Sequence, residues 1–274
     1  MTLLVDSGGT KAEWCIAETG LSVTTIGLNP SILDDATIFA ECRNVVPLLG
    51  SVDCVYFYGS GCGTTEAKER MRQVLYLCFP TASVHVETDM LGACRALSSG
   101  DMALIGILGT GSNACLFDGQ SIVGALPSLG YILGDYGSAN HVGRQLLLDY
   151  FYHRMPQVEA DSFAACNSVD YIDVIERVYH QPRPNRYLAS LAPFAVMNAA
   201  DSQYCRNLIF HSLNMWFDTQ LQPLSSPDRM LHLIGGFAYA IRHLLPSFCE
   251  THGLQLGKVE KTPMEGLIRY HLAK

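Results

Sequence analysis

The stretch that decides the fold is VDSGGTK at residues 5–11, where an apolar strand ends in Asp6 and a glycine-rich turn follows. A related stretch, LGTGSN, recurs at residues 108–113. Both continue into residues of strand composition, so each predicts two strands joined by a tight turn. Glycine tolerates positive φ and lets the backbone approach a ligand closely. Two such turns can offer N–H groups and hydroxyls to a polyphosphate from two sides of a cleft, which predicts a nucleotide clamp and phosphoryl transfer.

Either turn taken alone is also typical of an ordinary β-hairpin. Two features favour the nucleotide interpretation: the aspartate directly before the first turn, and the recurrence of the same layout in the second half of the chain. Neither copy matches the GxxxxGK[ST] loop or a GxGxxG fingerprint that opens a helix. The prediction therefore depends on the duplication rather than on a known phosphate-binding motif.

The composition suits a globular chain of two modest domains. The 274 residues are 49% hydrophobic and 16% charged, which is enough apolar material for two cores. The formal net charge of −8 argues against nucleic acid or an anionic membrane as the main partner. It does not argue against ATP, because a phosphate site needs only local N–H groups, a metal ion and one or two side chains.

The cysteine pattern indicates a reducing compartment. None of the ten cysteines forms a CxxC pair, so neither a zinc site nor a disulfide framework is predicted. Most of them lie in apolar segments and are expected to be buried free thiols. The chain opens directly into a strand, and no apolar run approaches the roughly 18 residues of a transmembrane helix. We therefore expect a soluble, cytoplasmic protein.

Hydrophobic periodicity predicts an α/β fold with mixed sheets. A three-strand meander opens the chain, alternating helices and strands follow, and the pattern restarts near residue 102. Predicted strands cover 2–6, 11–17, 22–27, 54–58, 83–87, 102–108, 113–117, 121–124, 230–234 and a short segment at Val259. Predicted helices cover 34–48, 64–79, 89–97, 139–153, 158–167, 169–179, 202–221, 237–251 and 263–272. No low-complexity linker interrupts the chain, so residues 100–106 are expected to form a hinge between packed domains.

Two aspartates are the main candidates for the chemistry. Asp6 lies at the C-terminal end of a predicted strand, where ligands bind in open α/β sheets. It can hold Mg²⁺ through water, or it can cap its own turn. Asp89 follows an apolar strand and opens a helix, which fits either an N-cap or a general base acting on an attacking hydroxyl. In phosphoryl transfer the protein mainly positions groups and neutralises charge.

Four further features carry weaker signals. Gly235-Gly236 joins a strand to a helix, as a plain turn or as a support under an adenine or ribose. Asp135, in a glycine-flanked loop before a helix, is either an N-cap or a bidentate ligand of sugar hydroxyls. Asn29 is either a turn residue or a sugar contact. His141 is interpreted as structural.

At these residues the chain resembles the actin-like kinase and ATPase superfamily, which includes hexokinases and other sugar kinases. Within it, the chain is most similar to the N-acetylglucosamine kinases of the BadF/BadG/BcrA/BcrD ATPase family. The resemblance runs over nearly the whole chain and is carried by DSGGTKAEW at 6–14, GLNP at 27–30, YGSGC at 58–62, TDMLGA at 88–93, GTGSN at 109–113, GYILGD at 130–135 and GG at 235–236. It implies two ribonuclease-H-like domains with mixed sheets around a central nucleotide cleft. The implied domains are 1–104 and 105–261, with a C-terminal helix at 262–274 that packs back on the first.

The resemblance also implies a role for each matching residue. Asp6 resembles the acidic residue on the Mg²⁺ side, and Asp89 resembles the base that takes the proton from the sugar's 6-hydroxyl. The residues that resemble ATP and phosphate contacts are Gly8, Gly9, Thr10, Lys11, Thr110, Gly111, Ala200, Gly235, Gly236 and Ala240. Those that resemble sugar contacts are Asn29, Asp89, Ser112, Asn113, Ser128, Leu129, Gly130 and Asp135.

Three positions depart from the family pattern. Tyr136 stands where the family often has glutamate, which can alter the sugar pocket. Ala200-Asp201 stands near an expected Gly-Asp that helps to bind nucleotide. Ser7 stands where many relatives have glycine, which narrows the backbone freedom of the first turn.

The leading hypothesis is an ATP-dependent kinase of an amino sugar, with N-acetylglucosamine and its 6-phosphate as the favoured pair. N-acetylmuramic acid, glucosamine and N-acetylmannosamine stay open as substrates, and relatives often form homodimers. One alternative is an ATPase activator of a radical dehydratase, which needs closely spaced cysteines for an iron–sulfur cluster; this chain has none in that form. Another is a non-catalytic sensor of sugar or nucleotide. A related sugar-responsive repressor would need a DNA-binding extension and a cysteine-rich zinc loop, and neither is present.

Overall fold

The computed structural model describes residues 1–273 and divides the chain into two units. The first unit holds Met1–Asp101, Gly119–Ser121 and the C-terminal residues from Thr262. The second holds Met102–Asp118 and Ile122–Lys261. Within the described part of the chain, no helix combines the length and the apolar character needed to cross a membrane.

The first unit is built on one five-stranded mixed sheet. Its strands are β1 (Thr2–Ser7), β2 (Lys11–Ile16), β3 (Ser22–Ile26), β4 (Cys54–Gly59) and β5 (Ser83–Thr88). Its helices are α1 (Asp35–Leu49), α2 (Thr65–Cys78), α3 (Asp89–Leu97) and, from the C-terminus, α12 (Met264–Leu272). The strand order is β3-β2-β1-β4-β5, with β1 antiparallel to β2 and parallel to β4, which is in turn parallel to β5.

The two faces of this sheet are covered by different helices. Leu3 and Val5 of β1 belong to the buried cluster that α1 and α2 close through residues such as Ile38 and Met71. The opposite face carries Tyr58, against which α3 packs so closely that a Cβ added at Gly92 would lie 2.9 Å from the Tyr58 Cβ. Alternation of side chains along a strand separates the two faces.

The second unit repeats this plan with a larger helical part. Its strands are β6 (Ala103–Leu108), β7 (Ser112–Phe117), β8 (Ile122–Ala125), β9 (Arg229–Ile234) and β10 (Leu254–Glu260). Its helices are α4 (Gly130–Leu133), α5 (Ala139–Phe151), α6 (Gln157–Asn167), α7 (Tyr171–Ile175), α8 (Pro184–Asn198), α9 (Gln203–Trp216), α10 (Gly236–Ala240) and α11 (Leu245–Thr251). A core of apolar side chains, with the fully buried Trp216 among them, joins these helices to the sheet.

The duplicated sequence pattern corresponds to a duplicated topology. The second sheet runs β8-β7-β6-β9-β10, so its central strand is again the first of the unit. That strand is antiparallel to β7 and parallel to β9, as β1 is to its own neighbours. Each glycine-rich stretch forms the turn between the first two strands of its sheet. The predicted α/β class with two mixed sheets is confirmed.

Several predicted helices were wrong in extent. Helix α8 was not predicted, because the prolines near its start suggest a loop; Pro184 occupies the first turn, where proline is well tolerated. The single helix predicted over 237–251 is two, α10 and α11, separated by a turn at 241–244, with Pro246 in the first turn of α11. The helices predicted over 169–179 and 202–221 both end in π-helical turns, at Glu176–His180 and Phe217–Leu221.

Candidate active site

Asp6 and Asp89 lie at the same edge of the first sheet. Asp6 is in register with Tyr58 on β4, and Tyr58 is in register with Glu87 on β5. Because β1, β4 and β5 are parallel, their carboxyl ends meet at one edge, and Asp89 follows β5 directly. Both aspartates are half-buried. The first unit therefore gathers two carboxylates at the position where open α/β sheets bind ligands.

The environment of both carboxyl groups disfavours their charged forms. Burial raises the pKa of Asp89 to about 6, against a smaller lowering by the backbone N–H of Met90. Burial, then the charges of Asp89 and Glu13, raise the pKa of Asp6 to about 7, and the Lys11 ammonium only partly offsets them. The charge of Asp89 therefore opposes the ionisation of Asp6.

The N-cap of α3 is Thr88 rather than Asp89. The Thr88 hydroxyl accepts a hydrogen bond from Leu91 N at 3.1 Å, which satisfies one of the free N–H groups of the first turn. Asp89 is the first helical residue, and its Oδ1 accepts from the backbone N of Met90 at 2.9 Å. The N-cap alternative for Asp89 was wrong, and its carboxylate keeps acceptor positions that capping does not use.

The first glycine-rich turn is tied to the loop that follows β3. Gly8 N donates to Lys11 O at 3.0 Å and closes the turn. The fully buried Ser7 accepts a hydrogen bond from Leu28 N through its hydroxyl at 2.8 Å. Ser7 therefore connects the end of β1 to the loop after β3. Gly9 has open space around it, and Thr10 and Lys11 are half-buried and exposed, respectively.

Gly27 presses against this turn, and Gly27→Ala is expected to displace it. A Cβ at Gly27 would lie 2.2 Å from Gly8 O, and Gly27 N donates to Thr10 O at 3.0 Å. We expect the variant to lose about 1–3 kcal/mol of unfolding free energy and to bind nucleotide more weakly. Gly63→Ala, where an added Cβ meets nothing within 4 Å, is the matched control. Equal denaturation midpoints and equal ATP affinity in the two variants would contradict the expected displacement of the turn by the Gly27 substitution.

Asn29 lies in the loop after β3, beside the glycine-rich loop after β4. Its Oδ1 accepts from Ser31 N at 2.8 Å. A Cβ added at Gly61, whose φ is +83°, would lie 1.9 Å from that same oxygen. Arg70 of α2 holds the Asn29 loop by donating to the backbone oxygens of Pro30 and Leu33. Asn29, a predicted sugar contact, thus lies in a loop that Arg70 stabilises. The Asn29 side-chain nitrogen takes no part in the hydrogen bond to Ser31.

The second glycine-rich turn is held by the start of α5. Gly109 N donates to Gly111 O at 2.9 Å within the turn. The first N–H groups of α5, from Ala139 and Asn140, donate to Gly109 O and Thr110 O at 3.0 and 3.1 Å. Free N–H groups at a helix start thus satisfy the carbonyl oxygens of the turn.

Asp135 lies against this turn. Asn140 donates through Nδ2 to Asp135 Oδ2 at 3.0 Å and to Thr110 O at 2.6 Å. Ser112 N approaches Asp135 Oδ1 at 3.4 Å. Burial raises the pKa of Asp135, against the lowering effect of the Asn140 amide. The buried Ser112 hydroxyl is itself bonded to Tyr136 O at 2.6 Å, so two predicted sugar contacts serve the turn.

The N-cap of α5 is Ser138, so the N-cap alternative for Asp135 was wrong. Ser138 Oγ accepts from His141 N and donates to Asp135 O at 2.6 Å. Asp135 has a φ of +53°, a left-handed conformation that a non-glycine residue adopts only when its neighbours hold it. His141 is buried and hydrogen-bonded to the Ser212 hydroxyl at 2.7 Å, in agreement with a structural role.

Gly235 and Gly236 lie beside the second turn. Gly235 has a φ of +126°, and a Cβ there would lie 2.3 Å from Leu108 O. Gly236 begins α10 and has open space around it, and Ala240 ends the same helix. Thr110, Gly111, Gly235 and Gly236, four of the predicted ATP contacts of the second unit, therefore lie around one turn.

The other predicted contacts of the second unit lie on further elements. Ala200 is exposed between α8 and α9, where its carbonyl accepts from Arg206 Nη2 at 2.6 Å. Ser128 and Leu129 are exposed before α4, which Gly130 begins with a φ of +70°. Asn113 is half-buried on β7, and its Oδ1 accepts from Ala114 N at 2.9 Å.

Sequence reasoning missed Asn140 and the connecting role of Ser7. Asn140 stands in the first turn of α5, where an amide can reach the turn before the helix, but no local pattern marks it. Ser7 was noted only as a departure from the family pattern. The long-range partners of both residues explain why no sequence window could reveal them.

The residues present fit a magnesium ion that is bound mainly by water and substrate phosphates, with one protein carboxylate nearby. Among residues 1–273, no group of three or more His, Cys, Asp or Glu side chains is placed to hold a metal. Mg²⁺ is usually bound in proteins through one or two carboxylates, with water and substrate phosphates completing the shell. Asp6 offers hard carboxylate oxygens beside a second acidic group, and a divalent cation there would relieve their repulsion.

Comparison with solved structures identifies the family. A protein of Porphyromonas gingivalis with a provisional assignment as an N-acetylglucosamine kinase is 37% identical, with a TM-score of 0.94 over 100% of this chain and 99% of its own. The chain belongs to this family of ATP-dependent sugar kinases. Scans against protein-family models and against curated proteins give no match.

More distant structures share the fold of this kinase. A protein of Chromobacterium violaceum, also provisionally assigned as an N-acetylglucosamine kinase, is 17% identical, with a TM-score of 0.74 over 98% of both chains. A ROK family glucokinase of Streptomyces griseus, solved with glucose and AMPPNP, is 16% identical, with a TM-score of 0.55 over 98% of this chain and 97% of its own. Both support the two-domain actin-like ATPase fold.

Proposed function

We propose that this kinase transfers the γ-phosphoryl group of ATP to the 6-hydroxyl of an amino sugar, N-acetylglucosamine in the first place. The observation that carries the proposal is the pair of desolvated carboxylates, Asp6 and Asp89, at the carboxyl edge of the first sheet. The relationship to the P. gingivalis protein supports the choice of sugar. Membership of the BadF/BadG/BcrA/BcrD family, a cytoplasmic location and a homodimeric state belong to the same proposal.

Asp89 is the proposed general base. Its carboxylate accepts the proton of the sugar hydroxyl while that oxygen attacks the γ-phosphorus and the bond to the β-phosphate oxygen breaks. A base works best when its pKa lies near the operating pH, and burial brings the pKa of Asp89 to about 6. Because phosphoryl transfer has a loose transition state, holding the hydroxyl in line matters as much as removing its proton.

Asp6 is the proposed carboxylate on the Mg²⁺ side. The ion, when bound, neutralises the charge of the phosphate oxygens. Asp6 would hold the ion through water, and the pairing of β1 with β2 places this residue near the end of β1, just before the glycine-rich turn. Gly8, Gly9, Thr10 and Lys11 of this turn are proposed to bind phosphate through backbone N–H groups, a hydroxyl and an ammonium.

The remaining contacts follow the two turns and their neighbours. In the second unit, Thr110 and Gly111 are proposed as phosphate contacts, and Gly235, Gly236 and Ala240 as contacts of the adenosine. Ala200 is proposed as a further nucleotide contact. Asn29, Ser112, Asn113, Ser128, Leu129, Gly130 and Asp135 are proposed on the sugar side. Ser112 and Asp135 also make hydrogen bonds beside the second glycine-rich turn, so both residues are proposed to stabilise that turn as well.

A coupled assay of ADP release over a panel of sugars tests the proposal. The panel contains N-acetylglucosamine, N-acetylmannosamine, N-acetylmuramic acid, glucosamine and glucose, with buffer alone as the control. We expect turnover with N-acetylglucosamine to be highest, and mass spectrometry of the product to place the phosphate on the 6-oxygen. Sugar-independent ATP hydrolysis, or thermal stabilisation by sugar without any turnover, would contradict a kinase of this specificity and favour an ATPase activator or a sensor.

The pH dependence of turnover is expected to follow Asp89. A base must be deprotonated to act, so kcat/KM for the sugar rises with pH through about 6 and levels off above it. Initial rates between pH 5 and 8 at saturating MgATP measure this acid limb. An acid limb centred near pH 4, the range of an ordinary aspartate, would show that the base lies elsewhere.

A further inference from the structure

The helix that carries Asp89 packs against strand β4 and against the C-terminal helix α12. On its sheet side, Gly92 of α3 seats directly on the Tyr58 ring, since a Cβ added there would lie 2.9 Å from Tyr58 Cγ. One turn further along α3, Gly266 of α12 meets the helix backbone, and a Cβ there would lie 2.3 Å from Ala96 O. The two glycines therefore allow close contacts that set the position of α3 relative to β4 and α12.

Asp89 and Gly92 share a face of α3. Residues three apart on a helix are neighbours on its surface, and Arg95 continues the same row. The contact between Gly92 and Tyr58 is therefore next to the proposed base, Asp89, along one face of α3. A movement of α3 relative to Tyr58 carries the Asp89 carboxylate with it.

The Tyr58 hydroxyl joins three elements of the first unit. It accepts a hydrogen bond from Arg95 Nη1 at 2.9 Å and lies 2.8 Å from His271 Nε2. Because the arginine can only donate, the Tyr58 proton is available to His271 Nε2, which places the imidazole proton on Nδ1 when the ring is neutral. Tyr58 is 1% exposed, so these bonds form away from water.

Ring contacts hold both partners of this hydroxyl. The Arg95 guanidinium lies 5.6 Å from the Tyr58 ring centroid and 5.3 Å from that of Tyr270 on α12. The centroids of the His271 and Tyr56 rings lie 4.0 Å apart. Burial raises the pKa of Tyr58 to about 12, so the hydroxyl stays protonated as this network requires.

From these contacts we infer that α12, through His271, Tyr58 and Arg95, positions α3 and with it the base of the reaction. None of the three touches the reacting groups, and each acts as a positioning residue for Asp89. The inference rests on the proposed function of Asp89. It assigns a catalytic consequence to a helix at the far C-terminus of the sequence.

The expected signature is a loss of kcat with little change in KM. A misplaced base lowers the rate of the chemical step, and a shift of about 1 Å can reduce turnover about a hundredfold. We expect His271→Ala and Tyr58→Phe each to lower kcat by about tenfold to a hundredfold, with KM for ATP near that of wild type. His271→Gln, which can again bond the Tyr58 hydroxyl, is expected to recover most of the rate.

Matched controls separate positioning from general damage. Arg269→Ala removes an exposed side chain from the same helix, and Tyr56→Phe removes a neighbouring hydroxyl that lies outside the Arg95 and His271 bonds. Both are expected to keep the wild-type kcat. Thermal unfolding and circular dichroism show that each variant is folded at the assay temperature.

The outcomes are distinguishable from failure of the proposed function. Wild-type kcat in folded His271→Ala and Tyr58→Phe, while Asp89→Asn is inactive, would overturn the positioning role alone. A loss of rate that matches the unfolded fraction, without recovery by His271→Gln, would also overturn it. Full activity of Asp89→Asn would instead overturn the assignment of the base.

Discussion

Asp89→Asn is expected to lose sugar phosphorylation almost completely. The amide keeps the size of the side chain and can still accept from Met90 N, but it cannot take up a proton. Positioned acid–base groups contribute about 10²–10⁴-fold to rate, so kcat should fall by that range with little change in KM for ATP. Steady-state kinetics with N-acetylglucosamine measure both constants.

Asp101→Asn is the matched control for this change, because its carboxylate is exposed in a bend of the chain. It should retain the turnover of the wild type. An Asp89→Asn protein that still phosphorylates sugar within a few-fold of wild type would show that positioning alone drives the reaction or that another group is the base. Retained ATP binding by calorimetry would confirm that the loss is chemical.

Asp6→Asn is expected to make the protein more stable at neutral and alkaline pH. The pKa of Asp6 rises from 3.8 to about 7 in the folded state because its charged form is buried beside Asp89 and Glu13. An acid whose folded pKa is raised destabilises the folded state as it ionises. The wild type therefore loses stability between about pH 4 and 7, and the penalty is largest above 7.

The asparagine variant carries no such penalty. Each unit of pKa shift corresponds to 1.36 kcal/mol, so the gain at pH 8 is expected to be about 2–4 kcal/mol and clearly smaller at pH 5. Urea denaturation at the two pH values measures it, with Asp101→Asn as the control. Equal gains at both pH values would contradict the electrostatic origin. The same variant should lose turnover, which would place the two carboxylates among sites that trade stability for activity.

Much of the fold could be predicted because its signals are local. Strand–turn–strand at both glycine-rich stretches requires only alternating apolar residues and glycines, and both hairpins formed as expected. Helix α8 could not be predicted in this way, because prolines at its first turn and at Pro193 outweigh its helix-forming residues until packing compensates.

The candidate site could be predicted as a set of residues, but not as an arrangement. Asp6 and Asp89 were both identified from their places after strands, yet their mutual repulsion depends on the parallel order of β1, β4 and β5. Asp135 was assigned to the sugar, whereas its contacts with Asn140 and Ser112 also make it part of the second turn. Such roles are set by partners that are distant along the chain.

The sequence by itself determined that this protein contains two copies of one turn, each following an apolar strand, and an acidic residue at the head of α3. Those features are encoded within a few neighbouring residues, where backbone preferences act directly. Only the tertiary structure decided how far burial raises the pKa values of Asp6 and Asp89. It also decided that α12 packs against α3 and reaches Tyr58 through His271. The physical reason is that desolvation and close packing depend on what surrounds a group in space, which no stretch of sequence contains.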